Sequence, residues 1–363
     1  MDSETEPDDS LGGIASGSVL SVVREARYQS ITSDERSSSD YRHQLLEQVA
    51  SQLDVPTTAF RRWKTNFIAD FYLIDHPDGP LLLKTVVGKP AATAEVQFRA
   101  LTELREIATA HGSFTVPDPI VSFSGHGAYV MCLLEGQPLS EDLVSRTMSL
   151  DIVGFARSCG RALAAIHASW SRPLDIRDNV VSMVEDLASH SPWRLRAEDL
   201  ATVRSVADVP GEGCALGTSR LYLDYDVVNV LVQPQRPALI DPPEDEVTGL
   251  MHWDLGTFLL GLERTMWKRP LLARSRADQI GRARDGFLRS YASERALELQ
   301  PADHLLVVLS ETIRLAQLAW WWRNAHKYRD RFRGYARSIY VMPFVRAARR
   351  RRMDQLDAFL DRV

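Results

Sequence analysis

The sequence predicts an α+β chain built as two lobes: a small antiparallel sheet with one helix, then a larger, mostly helical part. Three observations lead there. Short apolar runs bracketing turn-forming residues crowd residues 60–134, which is hairpin patterning. A segment without periodicity, EGQPLSED, follows. Beyond it apolar residues recur mostly at helical spacing, interrupted by one polar hairpin.

Composition narrows the function. At 363 residues the chain can bury a core in each of two lobes. Hydrophobic residues make up 45% and charged residues 25%, so wholesale disorder is excluded. The 43 basic and 48 acidic side chains leave a net charge of -5, which argues against a dedicated nucleic-acid binder. No apolar run approaches the ~20 residues of a transmembrane helix. The amino terminus, MDSETEPDDS, is acidic where a secretion signal is basic and then apolar. Cys132, Cys159 and Cys214 are odd in number and far apart, which speaks against a disulfide framework and for a reducing cytoplasm.

Taken in order, residues 1–39 are acidic and Ser-rich and read as a disordered tail, with a short helix around residues 19–27. From Asp40, Leu45, Leu46, Val49 and Leu53 fall at helical spacing. FYLI and LLLKTV flank the turn DHPDGP, and a helix ending at Gly112 follows. PIVSF and AYVMCLL flank SGHG and complete a first lobe over residues 40–134. Residues 135–363 form the helical lobe. Within it SLDIVGFARSCGRALAAIHASW is an amphipathic helix, residues 171–217 are less regular, and residues 250–363 read as long helices. RLYLDYDVVNVLV and PALID, joined by PQRP, are the strand-like runs of this half. No solenoid period recurs.

That late hairpin carries the chemistry. Asp224 and Asn229 lie five apart in a loop, and PALI returns to deliver Asp241 at its end. Two carboxylates and an amide oxygen brought around one point suit Mg²⁺, a hard cation that shares its ligands with a bound phosphate. A carboxylate left off the metal can accept a proton from a hydroxyl nucleophile. A lone Asp-x-x-x-x-Asn marks a turn more often than a site, so the weight rests on what surrounds it.

Here the chain resembles the aminoglycoside-phosphotransferase and choline-kinase branch of the protein-kinase-like fold. The family pattern H-G-D-x-x-x-x-N-V-L-V, then a strand ending I-D, is met by Tyr222-Leu223-Asp224, Asn229-Val230-Leu231-Val232 and Leu239-Ile240-Asp241. The resemblance implies Asp224 as catalytic base and Asn229 and Asp241 as Mg²⁺ ligands. Asp254-Leu255-Gly256 matches the element that braces the catalytic loop. Lys84 within LLLKTV is assigned to the phosphates of ATP, and Glu95 to the helix carboxylate that pairs with it. Thr65 and Asn66 resemble the phosphate-side loop. VMCLLEGQPL resembles the interlobe hinge, with backbone groups of Met131, Cys132, Leu133 and Leu134 against adenine. The likeness spans residues 60–260.

The implied activity is phosphoryl transfer from ATP to a hydroxyl of a small molecule or glycan, and the rival is a kinase-like binding protein without turnover. Three departures bear on that choice: Tyr222 and Asp226 replace family histidines, and Leu223 replaces a glycine. A protein kinase proper is disfavoured, because Asp-Phe-Gly and Ala-Pro-Glu are missing and little chain separates Asp241 from Asp254. P-loop, H-E-x-x-H, C-x-x-C and G-x-S-x-G motifs are absent too. His167 and His252 read as packing or hydrogen-bonding residues. Trp320, Trp321 and Trp322, with the arginines up to Arg337, offer a stacking platform for an acceptor. Arg346 and the arginines at 349–352 form an exposed cluster able to touch anionic lipid.

Overall fold

A computed structural model describes residues 39–361 except 66–68, 88, 146–149, 191–196, 209–212, 268, 270–274 and 325–330; the side chains of 65, 186, 189, 190, 320–324 and 331–341 also lie outside the description. The expected tail and its short helix therefore fall outside the described residues, as do Asn66, the side chain of Thr65 and the three tryptophans' side chains.

The first lobe begins with α1 (Ser39–Leu53) and continues through β1 (Phe60–Thr65), β2 (Ala69–Ile74), β3 (Leu81–Val86), α2 (Ala92–His111), β4 (Pro119–Phe123) and β5 (Ala128–Cys132). The strands form one antiparallel sheet in the order β1-β2-β3-β5-β4. Both faces are covered, which is why LLLKTV reads as a continuous apolar run rather than an alternating one. On one face Leu45 and Val49 of α1 pack with Ile74, Leu83 and Val130. On the other, Leu82, Tyr129 and Met131 join Leu101 and Leu104 of α2 in a core that continues into the second lobe. Helix α2 ends where Gly112 takes φ +68°, a left-handed cap that glycine adopts without strain. Strand β1 escaped the pattern because Arg61, Arg62, Trp63 and Lys64 are all exposed at the sheet edge, so no alternation marks it.

The second lobe runs β6 (Gln137–Pro138), α3 (Leu139–Asp142), α4 (Ile152–Ser169), α5 (Ile176–His190), α6 (Ala197–Ser205), β7 (Thr218–Arg220), β8 (Val230–Val232), β9 (Ala238–Leu239), β10 (Thr248–Leu250), α7 (His252–Met266), α8 (Ala277–Glu294), α9 (Pro301–Asn324) and α10 (Arg331–Leu360). Asp151 caps α4 by accepting the backbone N–H groups of Val153 and Gly154, both at 3.1 Å. The less regular stretch at 171–217 holds α5 and α6. The connector EGQPLSED also has structure: Gln137 and Pro138 pair with Val232 and Leu231, lashing the linker to the late hairpin. Gly136 makes this possible, since at φ +144° a Cβ there would lie 3.0 Å from the Leu231 Cβ. The run RLYLDYDVVNVLV is mostly loop rather than strand. Its start belongs to β7, which pairs with the distant β10, and its end to β8, which pairs with β9.

Ion pairs cross between the lobes: Lys89 with Glu244, Arg99 with Glu246 at 2.6 Å, and Arg220 with Glu103 at 2.5 Å. Among the described residues no helix is long and apolar enough to cross a membrane. The arginine cluster is only partly exposed. Arg352 is buried between Glu263 and Glu311, Arg351 also pairs with Glu263, and Arg346 and Arg350 face solvent with no partner among the described residues.

Candidate active site

The loop between β7 and β8 is fixed from behind by α7. Asp254, in the first turn of that helix, accepts the backbone N–H of Tyr222 at 2.6 Å and of Leu223 at 2.8 Å. His167 of α4 holds the same carboxylate at 3.1 Å, and its other ring nitrogen meets the Tyr291 hydroxyl at 2.8 Å. His167 and Asp254 are fully buried, so each polar atom needs its partner. The Trp253 indole donates to the Leu223 carbonyl, and the Tyr225 hydroxyl donates to the Cys159 carbonyl at 2.8 Å. Leu223 stands at φ +67°, in the left-handed region, at the position where the family pattern has glycine. Tyr222 is buried edge-on against Tyr225. His252 hydrogen-bonds Asp303, which also accepts from the backbone of Ala215, Leu216 and Gln300.

This bracing leaves Asp224 half-exposed at the tip. Asn229 donates through its amide nitrogen to Asp224 Oδ2 at 3.1 Å and to the Asp224 carbonyl at 3.0 Å. The Ile240 N–H returns to the Asn229 carbonyl at 3.1 Å, which ties the loop to the strand end carrying Asp241. Across the cleft, Lys84 of β3 donates to Asp241 Oδ1 at 2.7 Å. Lys84, Asp224, Asn229 and Asp241 thus meet from three parts of the chain.

Electrostatics make Lys84 a permanent cation. Burial pulls its ammonium down, but Asp241, Tyr129 and Glu244 outweigh that and hold it above the ordinary lysine range. Burial pushes the Asp241 carboxyl up, and Glu244 and Asp224 add to the push against the pull of Lys84. Asn229 has committed its nitrogen, which leaves its amide oxygen as a ligand, and Asp241 Oδ2 has no partner among the described residues. An amide oxygen beside carboxylate oxygens is a donor set that fits a hard divalent cation.

One expectation is corrected. Lys84 does not pair with Glu95, which is exposed on the first turn of α2. The inward position is Gln97, fully buried, whose amide oxygen accepts from the Tyr129 hydroxyl at 3.4 Å, and the Tyr129 ring lies 5.9 Å from the Lys84 nitrogen. Asp226, in the same loop, is buried and takes a 2.7 Å bond from Arg264. In the hinge, the N–H of Cys132 is spent on Asp118 and that of Leu133 on Pro80, at 2.9 and 3.0 Å. The N–H of Leu134 has no partner among the described residues, and Met131 is buried in β5.

One residue of the site went unpredicted. Arg314 of α9, almost wholly buried, donates to Asp224 Oδ1. A signal was present: Glu311 and Arg314 are charges within VVLSETIRLAQLAW, an otherwise apolar helix, and a charge inside such a helix needs a partner. Its partner could not be read across 90 residues.

The comparisons agree with this fold. The fold is that of a macrolide 2'-phosphotransferase from Brachybacterium faecium, 17% identical, with a TM-score of 0.52 over 87% of this chain and 97% of the other. An amicoumacin kinase solved with AMP-PNP and Ca²⁺ is 12% identical, with a TM-score of 0.55 over 88% and 95%. A choline/ethanolamine kinase family protein from Mesorhizobium loti is 17% identical, with a TM-score of 0.50 over 88% and 94%. A comparison of the sequence with curated proteins finds no match. The profile of the phosphotransferase enzyme family matches residues 60–297. The chain belongs to that phosphotransferase family.

Proposed function

We propose that the protein transfers the γ-phosphoryl group of ATP, with Mg²⁺, to a hydroxyl of a small molecule or glycan. The observation that carries this reading is the meeting of Lys84, Asp224, Asn229 and Asp241 at the cleft. The family match and the AMP-PNP and Ca²⁺ in the amicoumacin kinase support it.

In this reading adenine lies against Met131, Cys132, Leu133 and Leu134, and the Leu134 N–H is the hinge donor available to it. Thr65 and Asn66 keep the phosphate-side role that the resemblance implies. Lys84 exchanges Asp241 for phosphate oxygens, and Asn229 and Asp241 hold the metal. When bound, Mg²⁺ supplies charge neutralisation at the phosphates. Asp224 orients the acceptor hydroxyl and takes its proton, and the brace from Asp254 and His167 keeps that carboxylate aimed. Catalysis is positioning plus electrostatics.

A non-catalytic binding protein is the second reading, favoured by the ion pair that already engages Asp224. Asp224 separates the two, because nucleotide and metal can be held without it. A metabolite panel read by ATP consumption supplies the acceptor. Asp224→Asn then keeps nucleotide binding while transfer falls at least ~10²-fold. Undiminished transfer by the variant removes Asp224 as base. A parent that binds Mg-ATP yet transfers to nothing, and does not hydrolyse it slowly, supports the binding protein.

A further inference from the structure

Asp224 presents a problem of charge. Phosphoryl transfer brings a highly anionic group up to the hydroxyl that the Asp224 carboxylate holds. Asp241 and Glu244 stand nearby, and Lys84 and Lys89 are committed to them. The loop from Asp224 to Asn229 contains Tyr225, Asp226, Val227 and Val228, none of them a cation. Its extra charge, Asp226, is already answered by Arg264. Arg314 is a cation that touches Asp224.

Arg314 is also built for an anion. Its guanidinium is a planar fork whose several donors match carboxylate and phosphate oxygens together. One nitrogen donates to Asp224 Oδ1, and another reaches the Gln317 amide oxygen at 3.3 Å, one turn further along α9. The Gln317 amide nitrogen is a buried donor with no hydrogen-bond partner among the described residues. Burial keeps the local dielectric low, which strengthens any contact made there. The helix bearing both residues is held in place by Ser310, Glu311 and Thr312, all fully buried beside them.

Resting on the function proposed above, we infer that Arg314 contacts the transferring phosphoryl group while it holds Asp224, and so serves as the cation of phosphoryl transfer. The acceptor oxygen forms its bond to the γ-phosphorus as the bond to the β,γ-bridging oxygen breaks. ADP leaves with that electron pair, and the hydroxyl proton passes to Asp224. Arg314 gives and takes no proton in this step. Its guanidinium stays on the equatorial oxygens and shields them from the carboxylate.

The test needs no acceptor. Calorimetry measures the affinities of parent and variants for Mg-AMP-PNP and Mg-ADP, after thermal melts show which variants fold. The parent binds the triphosphate analogue about 10-fold or more tightly than ADP, the scale of a charge-assisted hydrogen bond. Arg314→Met closes that gap by weakening AMP-PNP alone, and Arg314→Lys keeps part of it. Arg314→Gln, which retains a hydrogen bond to Asp224 without the charge, behaves as Arg314→Met and carries the test if methionine does not fold. A parent with no preference for AMP-PNP, or a neutral variant that preserves the gap or weakens both ligands equally, overturns the inference. A parent that binds neither nucleotide overturns the function reading itself, and this inference with it.

Discussion

At the scale of single residues, the loop from Tyr222 to Asn229 shows how an altered motif keeps its shape. Tyr222 stands where the family has histidine, and burial plus edge-on packing on Tyr225 fill the space. Its hydroxyl makes no hydrogen bond among the described residues, so the ring is what the loop uses. Tyr222→Phe therefore changes stability little, whereas Tyr222→Ala costs roughly 3–5 kcal/mol in chemical denaturation, the range for emptying an aromatic site. Equal losses for the two would assign the role to the hydroxyl instead. Leu223 pays for its left-handed backbone with two hydrogen bonds, its N–H to Asp254 and its carbonyl from Trp253. Local spacing made Asp224, Asn229 and Asp241 legible in the sequence, because one loop and one hairpin carry all three. Glu95 misled because helix register, not residue type, decides which side chain faces the cleft, and that side is Gln97. Arg314 was illegible as a partner of Asp224 because only the tertiary fold joins them.

At the scale of elements, α7 does two jobs through adjacent residues. Asp254 braces the catalytic loop, and Gly256 lets α9 approach closely enough to deliver Arg314. A Cβ at Gly256 would lie 2.8 Å from the Ser310 Cβ and 2.9 Å from the Glu311 backbone nitrogen. Backbone cannot step aside as a flexible side chain can, so the helices must separate. Gly256→Ala thus destabilises by about 1–3 kcal/mol in urea melts despite the better helix propensity of alanine. A gain in stability would show that α7 and α9 do not touch there. The paired runs FYLI with LLLKTV and PIVSF with AYVMCLL were readable because a turn signal sits between the strands. The β7–β10 pair was not, since 27 residues separate Arg220 from its partner Thr248 and both strands are three residues long.

At the scale of the whole molecule, the bilobal plan followed from a change in periodicity near residue 134, and the sheet, hinge and helical lobe appear in that order. The ion pairs across the cleft were beyond the sequence, because nothing local in DPPEDE after β9 names a partner in the first lobe. In the fold its Asp241, Glu244 and Glu246 meet Lys84, Lys89 and Arg99 of the first lobe. The pair at its centre, Lys84 with Asp241, is the one that nucleotide and metal would divide between them, so the account stands or falls on what binds there. A ligand that binds only the folded state raises its melting temperature by mass action. The measurement is the thermal shift of the parent, Lys84→Ala and Asp241→Ala with millimolar Mg-ATP, each against a metal-free control. The account predicts a clear upward shift for the parent that needs the metal and is lost in both variants. No shift for the parent, with ADP, GTP and Mn²⁺ also tried, would contradict it.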